Sequence, residues 1–166
     1  MSNKLSVAPL VIAVGIAIVV QLALIGLDCQ QTPIKVAKNF TRAYFYLDAD
    51  MRDYLCADLA EKGQVVNDYL IQKETEASQR GLDTKYLRHK FLHLHASIVT
   101  TQKDSMKVHL SGTTRVCINP AFMLVGKLFS IGRDYPVDAT IELVKENDQW
   151  RVCGTPFGLT PQAPQA

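Results

Sequence analysis

The first stretch of the chain is hydrophobic and carries no charge. No charged residue lies between Lys4 and Asp28, and the run Val7–Leu27 departs from apolar character only at Pro9 and Gln21. Because an α-helix rises ~1.5 Å per residue, this run is about 30 Å long, which matches the hydrocarbon core of a bilayer. The pattern therefore predicts one membrane-spanning helix.

A cleaved signal sequence is the alternative to an uncleaved anchor. Secretory and lipoprotein signals both need small residues beside the cleavage point. Here the run ends in Gly26-Leu27-Asp28-Cys29, with Asp directly before Cys and no A-x-A site. This ending favours an uncleaved span, with Cys29 at the membrane surface.

Beyond the hydrophobic run, apolar residues recur at helical spacing. Thr32 and Pro33 provide a cap and a first-turn proline for a first helix. A short second helix is predicted over Met51–Leu59, and a third over Val65–Arg80 that Gly81 ends. The apolar stripe of the first helix comprises Val36, Phe40, Ala43, Tyr44 and Leu47.

After the third helix, apolar and polar residues alternate. The alternation predicts strands over Phe91–Thr100, Ser105–Ile118, Tyr135–Lys145 and Trp150–Gly154, with short turns in the first and last hairpins. Helices followed by antiparallel strands indicate an α+β fold. About three helices would pack on one face of a curved, mainly antiparallel sheet of four or more strands.

This order resembles the NTF2-like superfamily, which includes SnoaL-like proteins and the ketosteroid isomerase group. The resemblance rests on the aromatic residues of the first helix, the short second helix and the last hairpin, Ile141–Val152, and it covers about residues 33–155. It implies a cone-shaped domain and a possible homodimer through the open sheet face. One amino-terminal span followed by such a domain is also similar in layout to VirB8-type inner-membrane proteins, which serve as assembly scaffolds.

The predicted organisation is a tail over 1–6, a transmembrane helix over 7–27, a linker over 28–32, an NTF2-like domain over 33–158 and a disordered tail over 159–166. Positive charge near the span gives an ambiguous orientation, because Lys4 opposes Lys35, Lys38 and Arg42. Four cysteines are heavy use for a reducing compartment. We therefore expect a single-pass protein of the cell (inner) membrane with its domain outside the cytoplasm.

Composition limits the function classes further. Lys and Arg total 18 against 16 Asp and Glu, and a net charge of +2 gives no nucleic-acid footprint. No two cysteines form a CxxC motif, which excludes a zinc finger of that type.

Histidines and cysteines are the first candidates for chemistry. His93, His95 and His109 share one face of the predicted hairpin with Cys117, an arrangement that can hold zinc. A solvated strand face explains the same residues, so we predict no metal site and no cofactor. Cys56 on the second helix can reach Cys153 on the last strand and form a disulfide, and buried free thiols are the alternative.

Carboxylates and tyrosines near the end of the first helix are the candidates for an enzyme. An isomerase-like pocket needs a carboxylate in an apolar cavity and a hydroxyl or acid for the oxyanion. Turn chemistry and core packing explain the same residues, so no catalytic residue is assigned. The residues concerned are Asp48, Asp50, Asp53, Tyr44, Tyr46 and Tyr54.

A strongly apolar connection, residues 121–131, joins two predicted strands. It fits a strand or helix that closes the end of the cone, or an exposed patch for a protein partner or the membrane. The patch residues would be Phe122, Met123, Leu124, Leu128 and Phe129. The sequence as a whole favours a membrane-anchored, non-enzymatic binding or assembly module with a protein partner. A small-apolar-ligand binding domain and a membrane-tethered SnoaL-like enzyme are the alternatives.

Overall fold

The amino-terminal part of the chain forms one long helix. In this computed structural model residues 7–28, 32–61, 64–116 and 133–159 are described, and the chain divides into two compact units, Met1–Gln31 and Thr32–Ala166. The first unit contains α1 (Val7–Asp28), whose described side chains, residues 11–21, are all exposed. Over the described residues alone, no helix combines the length and hydropathy that a membrane crossing requires.

The second unit begins with the helix that Thr32 and Pro33 predict. α2 spans Pro33–Tyr46, and the Thr32 hydroxyl accepts a hydrogen bond from the Lys35 backbone N–H at 3.3 Å. Leu47 ends the helix in a left-handed conformation with φ 57°. One stripe of α2 is buried and faces the core: Val36, Ala37, Phe40 and Thr41.

The prediction of a single second helix over Met51–Leu59 is wrong. The segment forms a 3-10 helix, Ala49–Tyr54, and then the short helix α3, Ala57–Glu61. Leu55 between them is extended and forms a parallel bridge with Val152 of the last strand. This tertiary pairing outweighs the local helical preference of the segment.

The third helix forms nearly where the sequence predicts it. α4 spans Val65–Gln79, and Gly81 follows with φ 67°, a conformation that glycine adopts readily. A 3-10 helix, Thr84–Leu87, then leads into the sheet.

Within the described residues the sheet has four antiparallel strands in the order β1-β2-β3-β4, so consecutive strands are neighbours. The strands are β1 (His89–Thr101), β2 (Ser105–Val116), β3 (Asp134–Glu146) and β4 (Gln149–Cys153). Each predicted strand therefore forms, and the ends that lie within the described residues differ from the predicted ones by at most two residues. The register of β1 is irregular between Phe91 and His93 and again between Ile98 and Thr100. Ile98, predicted on the inner face, is 46% exposed.

The core lies between the sheet and the helices, as expected for an α+β fold. Phe40 and Met51 have no exposed surface and lie in one apolar cluster with the inner face of the sheet. The largest buried sheet side chains are Val108, Leu110, Ile141, Leu143 and Val152.

Several predicted features lie outside the described residues. These are Cys29, Cys117, the apolar connection 121–131 and residues 160–166. The connection contains all five residues of the predicted partner or membrane patch: Phe122, Met123, Leu124, Leu128 and Phe129.

Candidate functional site

A cleft of about 540 Å³ opens beside α2, the 3-10 helix Ala49–Tyr54 and the start of β1. We call it the α2–β1 cleft. Its lining residues are Asn39, Arg42, Ala43, Tyr46, Asp48, Asp50, Tyr54, His89, Lys90 and Phe91.

The α2 wall of the cleft follows from helical periodicity. Asn39, Arg42, Ala43 and Tyr46 recur at steps of three and four residues, which places them in one stripe along the helix. This stripe lies beside the buried stripe that contains Phe40, so core packing fixes its direction. The helix therefore presents an amide, a guanidinium and a phenol ring to the cleft.

A second wall carries two carboxylates from the 3-10 helix and its cap. Asp48 is partly buried, and its Oδ1 accepts a hydrogen bond from the Asp50 backbone N–H at 3.1 Å. Asp48 therefore caps the 3-10 helix, as expected for an Asp at a turn. Asp50 itself is exposed, and its carboxylate forms no ion pair with another described residue.

The β1 wall contains an oriented imidazole. His89 Nδ1 lies 3.4 Å from Thr114 Oγ1, and the Thr114 hydroxyl donates to the Tyr135 carbonyl at 3.3 Å. Because the hydroxyl hydrogen is used in that bond, we assign the ring hydrogen to His89 Nδ1 and leave Nε2 as an acceptor. Burial, reinforced by the charge of Lys73, lowers the pKa of His89. The imidazole is therefore neutral at neutral pH.

Cations cluster around the ring of Tyr46. Lys90 Nζ lies 5.2 Å from the ring centroid, and Arg88 Cζ lies 5.3 Å from it. Within the described parts of the chain, Arg42, Arg88 and Lys90 form no ion pair with a carboxylate. Arg88 Nε is buried and has no hydrogen-bond partner there. This side of the cleft is thus basic, because Arg42 and Lys90 line it and Arg88 lies beside it against the ring of Tyr46. We call these three residues the basic wall.

An aromatic layer packs behind the cleft. The ring of Phe91 meets Phe45 edge-on at 5.2 Å, and Tyr44 stacks on Tyr69 at 4.6 Å and on Phe157 at 4.9 Å. Burial raises the pKa of Tyr44 and of Tyr69, and the hydroxyl of Tyr44 donates to the Phe157 carbonyl at 3.1 Å. Of these rings, Phe91 itself lines the cleft.

The structure brings together part of the carboxylate and tyrosine set that the sequence identifies. Asp48, Asp50, Tyr46 and Tyr54 all line the α2–β1 cleft. Tyr44 belongs instead to the aromatic layer. Asp53 is exposed, and its backbone carbonyl accepts a hydrogen bond from the Arg151 guanidinium. None of the three carboxylates occupies the apolar cavity that an isomerase-like general base needs.

The basic wall and His89 were not identified from the sequence. Arg88, His89 and Lys90 are consecutive, and this run directly before the first alternating strand is the signal that marks them. Arg42 lies four residues before Tyr46, so helical spacing also connects it with the cleft. The packing of α2 against the start of β1 brings Arg88 and Lys90 to the ring of Tyr46.

The histidines considered as zinc ligands lie on the outer face of the sheet. His109 pairs with Ser97 and is therefore diagonal to His95, while its Nε2 lies 3.6 Å from Asp138 Oδ2. His93 Nε2 lies 3.5 Å from the Thr113 hydroxyl. In the parts of the chain that the structure describes, these histidines do not converge to metal-ligand distance.

A disulfide joins Cys56 to Cys153, with their Cα atoms 5.5 Å apart. Cys56 lies between the 3-10 helix and α3 rather than within a helix, and its backbone N–H donates to Val152 O at 2.9 Å. The Glu146 carboxylate lies beside the sulfurs, all ligand atoms being within 4.8 Å, and accepts from the Ala57 N–H at 3.0 Å. Because the sulfurs are bonded to each other, this group is a structural junction.

The sequence matches no protein-family model and no curated protein. Among solved structures it is similar to a Campylobacter jejuni protein described as an NTF2-like transpeptidase. The sequences are 19% identical, the match covers 74% of this chain and 97% of that one, and the TM-score is 0.43.

Proposed function

We propose that this chain is a membrane-anchored binding module. α1 would tether it, the unit that begins at Thr32 would lie outside the cytoplasm, and the α2–β1 cleft would hold its ligand or a segment of its partner. The observation that carries the binding role is the cleft, in which side chains of both charges line one cavity of about 540 Å³. Unpaired charges held in one concave site are typical of a binding site rather than of a structural surface.

The anchoring role is supported by the surface of α1. Seven large aliphatic side chains between Val11 and Val20 are each 51–65% exposed. Apolar surface of this kind is unfavourable in water by about 25 cal/mol per Å², and a helix that is apolar all round belongs in an apolar environment. The described side chains, residues 11–21, are too few to cross a bilayer, so the anchor depends on the whole charge-free run 7–27.

The location outside the cytoplasm is supported by the disulfide between Cys56 and Cys153. Disulfides persist in oxidising compartments and are rare where thiols are kept reduced. The bond links the segment before α3 to the last strand and would stabilise a domain exposed to an oxidising compartment.

The lining of the cleft distinguishes between an apolar ligand and a polar ligand. A small apolar ligand would need a lining of apolar side chains, whereas this cleft presents Arg42, Asp50 and Lys90 together with an amide and an imidazole. The cleft therefore favours a polar ligand. Tyr46, Tyr54 and Phe91 add ring surfaces for a flat or aliphatic part of the same molecule.

Membrane release tests the anchor. Replacing Ile16 and Val20 with Asp puts two charges into α1, each of which costs about 3 kcal/mol in a bilayer. We expect the double variant to leave the alkaline-washed membrane fraction in which the wild type remains. The matched control replaces Ile71 and Leu82, which are 59% and 42% exposed outside α1, and should stay with the membranes. Equal release of both variants would contradict the anchor.

Native mass spectrometry of the full chain, extracted from its own membranes in mild detergent, tests the binding role. We expect a protein partner or an added small-molecule mass that the variant Tyr54→Ala loses. A bare protomer or bare dimer in every preparation would refute the binding role while leaving the anchor untouched.

A further inference from the structure

We infer that the α2–β1 cleft recognises an acid group, a phosphate or a carboxylate, on its basic wall of Arg42, Arg88 and Lys90. This inference rests on the proposed function in one respect, namely that the cleft is the binding site. It adds the chemical class of the ligand and the direction in which the ligand lies.

Positive charge is concentrated at one side of the cleft. Arg88 and Lys90 both lie within 5.3 Å of the centroid of one ring, that of Tyr46, while Arg42 stands one helical turn before Tyr46 on α2. Like charges held close together repel one another unless an anion offsets them. Asp83 pairs with Lys85 at 3.3 Å and also interacts electrostatically with Arg88, whereas Arg42 and Lys90 form no ion pair with a described carboxylate.

A hydrogen-bond donor beside the same ring is unused within the described residues. The Nε–H of Arg88 is buried and finds no acceptor within the described residues. Buried donors in folded proteins nearly always have a partner, so an orphaned one calls for an acceptor that the described residues do not supply. A guanidinium is the side chain best suited to bind carboxylate and phosphate oxygens.

The other wall of the cleft carries negative charge. The carboxylates of Asp48 and Asp50 line the same cleft but lie beyond ion-pair distance from Arg42 and Lys90. They would repel an anion placed near them and attract a hydroxyl or amino group. The ligand is therefore expected to carry its acid group toward Tyr46 and a hydrogen-bond donor toward Asp50.

The experiment uses the full chain in phosphatidylcholine nanodiscs and radiolabelled inorganic phosphate as the probe. Equilibrium dialysis at constant ionic strength should give one saturable site, and acetate should compete for it. Removing one charge-assisted contact with Lys90→Met or Arg42→Gln should raise the Kd about tenfold, as loss of ~1.4 kcal/mol implies. Lys103→Met, the same change of charge in the exposed turn after β1, should leave the Kd unchanged.

Two further measurements identify the source of the anion and check that each variant is folded. Vesicles of phosphatidylcholine with phosphatidylglycerol will compete with phosphate, and pure phosphatidylcholine vesicles will not, if the acid group belongs to a lipid. A free ligand is indicated if acetate and phosphate compete but neither kind of vesicle does. The thermal unfolding midpoint of each variant shows whether the fold is intact.

Absence of saturable phosphate binding in the wild type overturns the inference. An equal loss of phosphate affinity in Lys103→Met and Lys90→Met also overturns it. Either result would leave the proposed function standing if the Tyr54-dependent mass in the native spectra persists. Loss of that mass as well would remove both.

Discussion

Removal of the Cys56–Cys153 disulfide is the perturbation whose size the structure determines most directly. The two cysteines are 97 residues apart in sequence, so the bond closes a loop that takes in most of the second unit. In the chain-entropy account, a loop of this length stabilises the folded state by about 4.7 kcal/mol, and measured losses on removing native disulfides run from about 2 to 5 kcal/mol. We therefore expect the double variant Cys56→Ala with Cys153→Ser to lose about 4 kcal/mol of the free energy of unfolding.

The folded geometry at the junction should survive the loss of the bond. Cys56 N–H still donates to Val152 O at 2.9 Å, and Glu146 still accepts from the Ala57 N–H at 3.0 Å. The effect should therefore arise mainly in the unfolded chain, which becomes more expanded without the cross-link. The denaturant dependence of the unfolding free energy should rise together with the fall in stability.

The assay is guanidinium chloride unfolding followed by the fluorescence of Trp150, the single tryptophan of the chain, which packs against the core from β4. At a slope of about 4 kcal/mol per molar denaturant, the midpoint should fall by about 1 M. Wild-type protein treated with a phosphine reductant serves as the matched control and should show the same midpoint as the variant. A difference below about 1 kcal/mol, or an unchanged midpoint after proven reduction, would refute the loop-closure reasoning.

Three further substitutions test the fold and the cleft by the same denaturation assay. Gly112→Ala should destabilise the domain by about 1–3 kcal/mol, because the new Cβ would lie 2.5 Å from the His93 carbonyl oxygen; a loss no larger than that of Ser111→Ala would contradict this contact. Phe40→Ala should cost about 3–5 kcal/mol, since Phe40 has no exposed surface at the centre of the core, and a loss under 1 kcal/mol would show that α2 packs elsewhere. Burial lowers the pKa of His89, so the folded wild type should lose stability as the pH falls below the ordinary value of 6.5, where the imidazole becomes protonated in the unfolded chain. His89→Gln should lose less stability between pH 7 and 5. Parallel curves of stability against pH for the two proteins would refute a burial-lowered pKa of His89.

The sequence predicts the sheet well because a half-buried antiparallel strand has apolar and polar residues in alternation. Met106, Val108 and Leu110 alternate with polar residues, and all three are buried in β2. Alternation reports the face on which a residue lies but not how fully that face is covered. Ile98 pairs with the buried Val108 and shares its face, yet it is 46% exposed.

The prediction of the second helix failed because the structure of this segment depends on Val152, which is distant in sequence. The apolar spacing of Met51, Leu55 and Leu59 suits a helix, yet Leu55 is extended in order to pair with Val152. The cleft illustrates the same limit. Spacing along α2 can place Arg42 and Tyr46 together, but the approach of Arg88 and Lys90 to that ring depends on where the first strand begins beside the helix.

Site-specific photo-crosslinking from the cleft, in the native membranes of cells that make the full chain, tests the binding role most directly. A benzophenone side chain would replace Tyr54, which lines the α2–β1 cleft, or Tyr86, a 39% exposed tyrosine outside it, as the matched control. If the cleft binds a ligand or partner, we expect an adduct of discrete mass at position 54 that is absent at position 86. No adduct at position 54, or the same adducts at both positions, would contradict it.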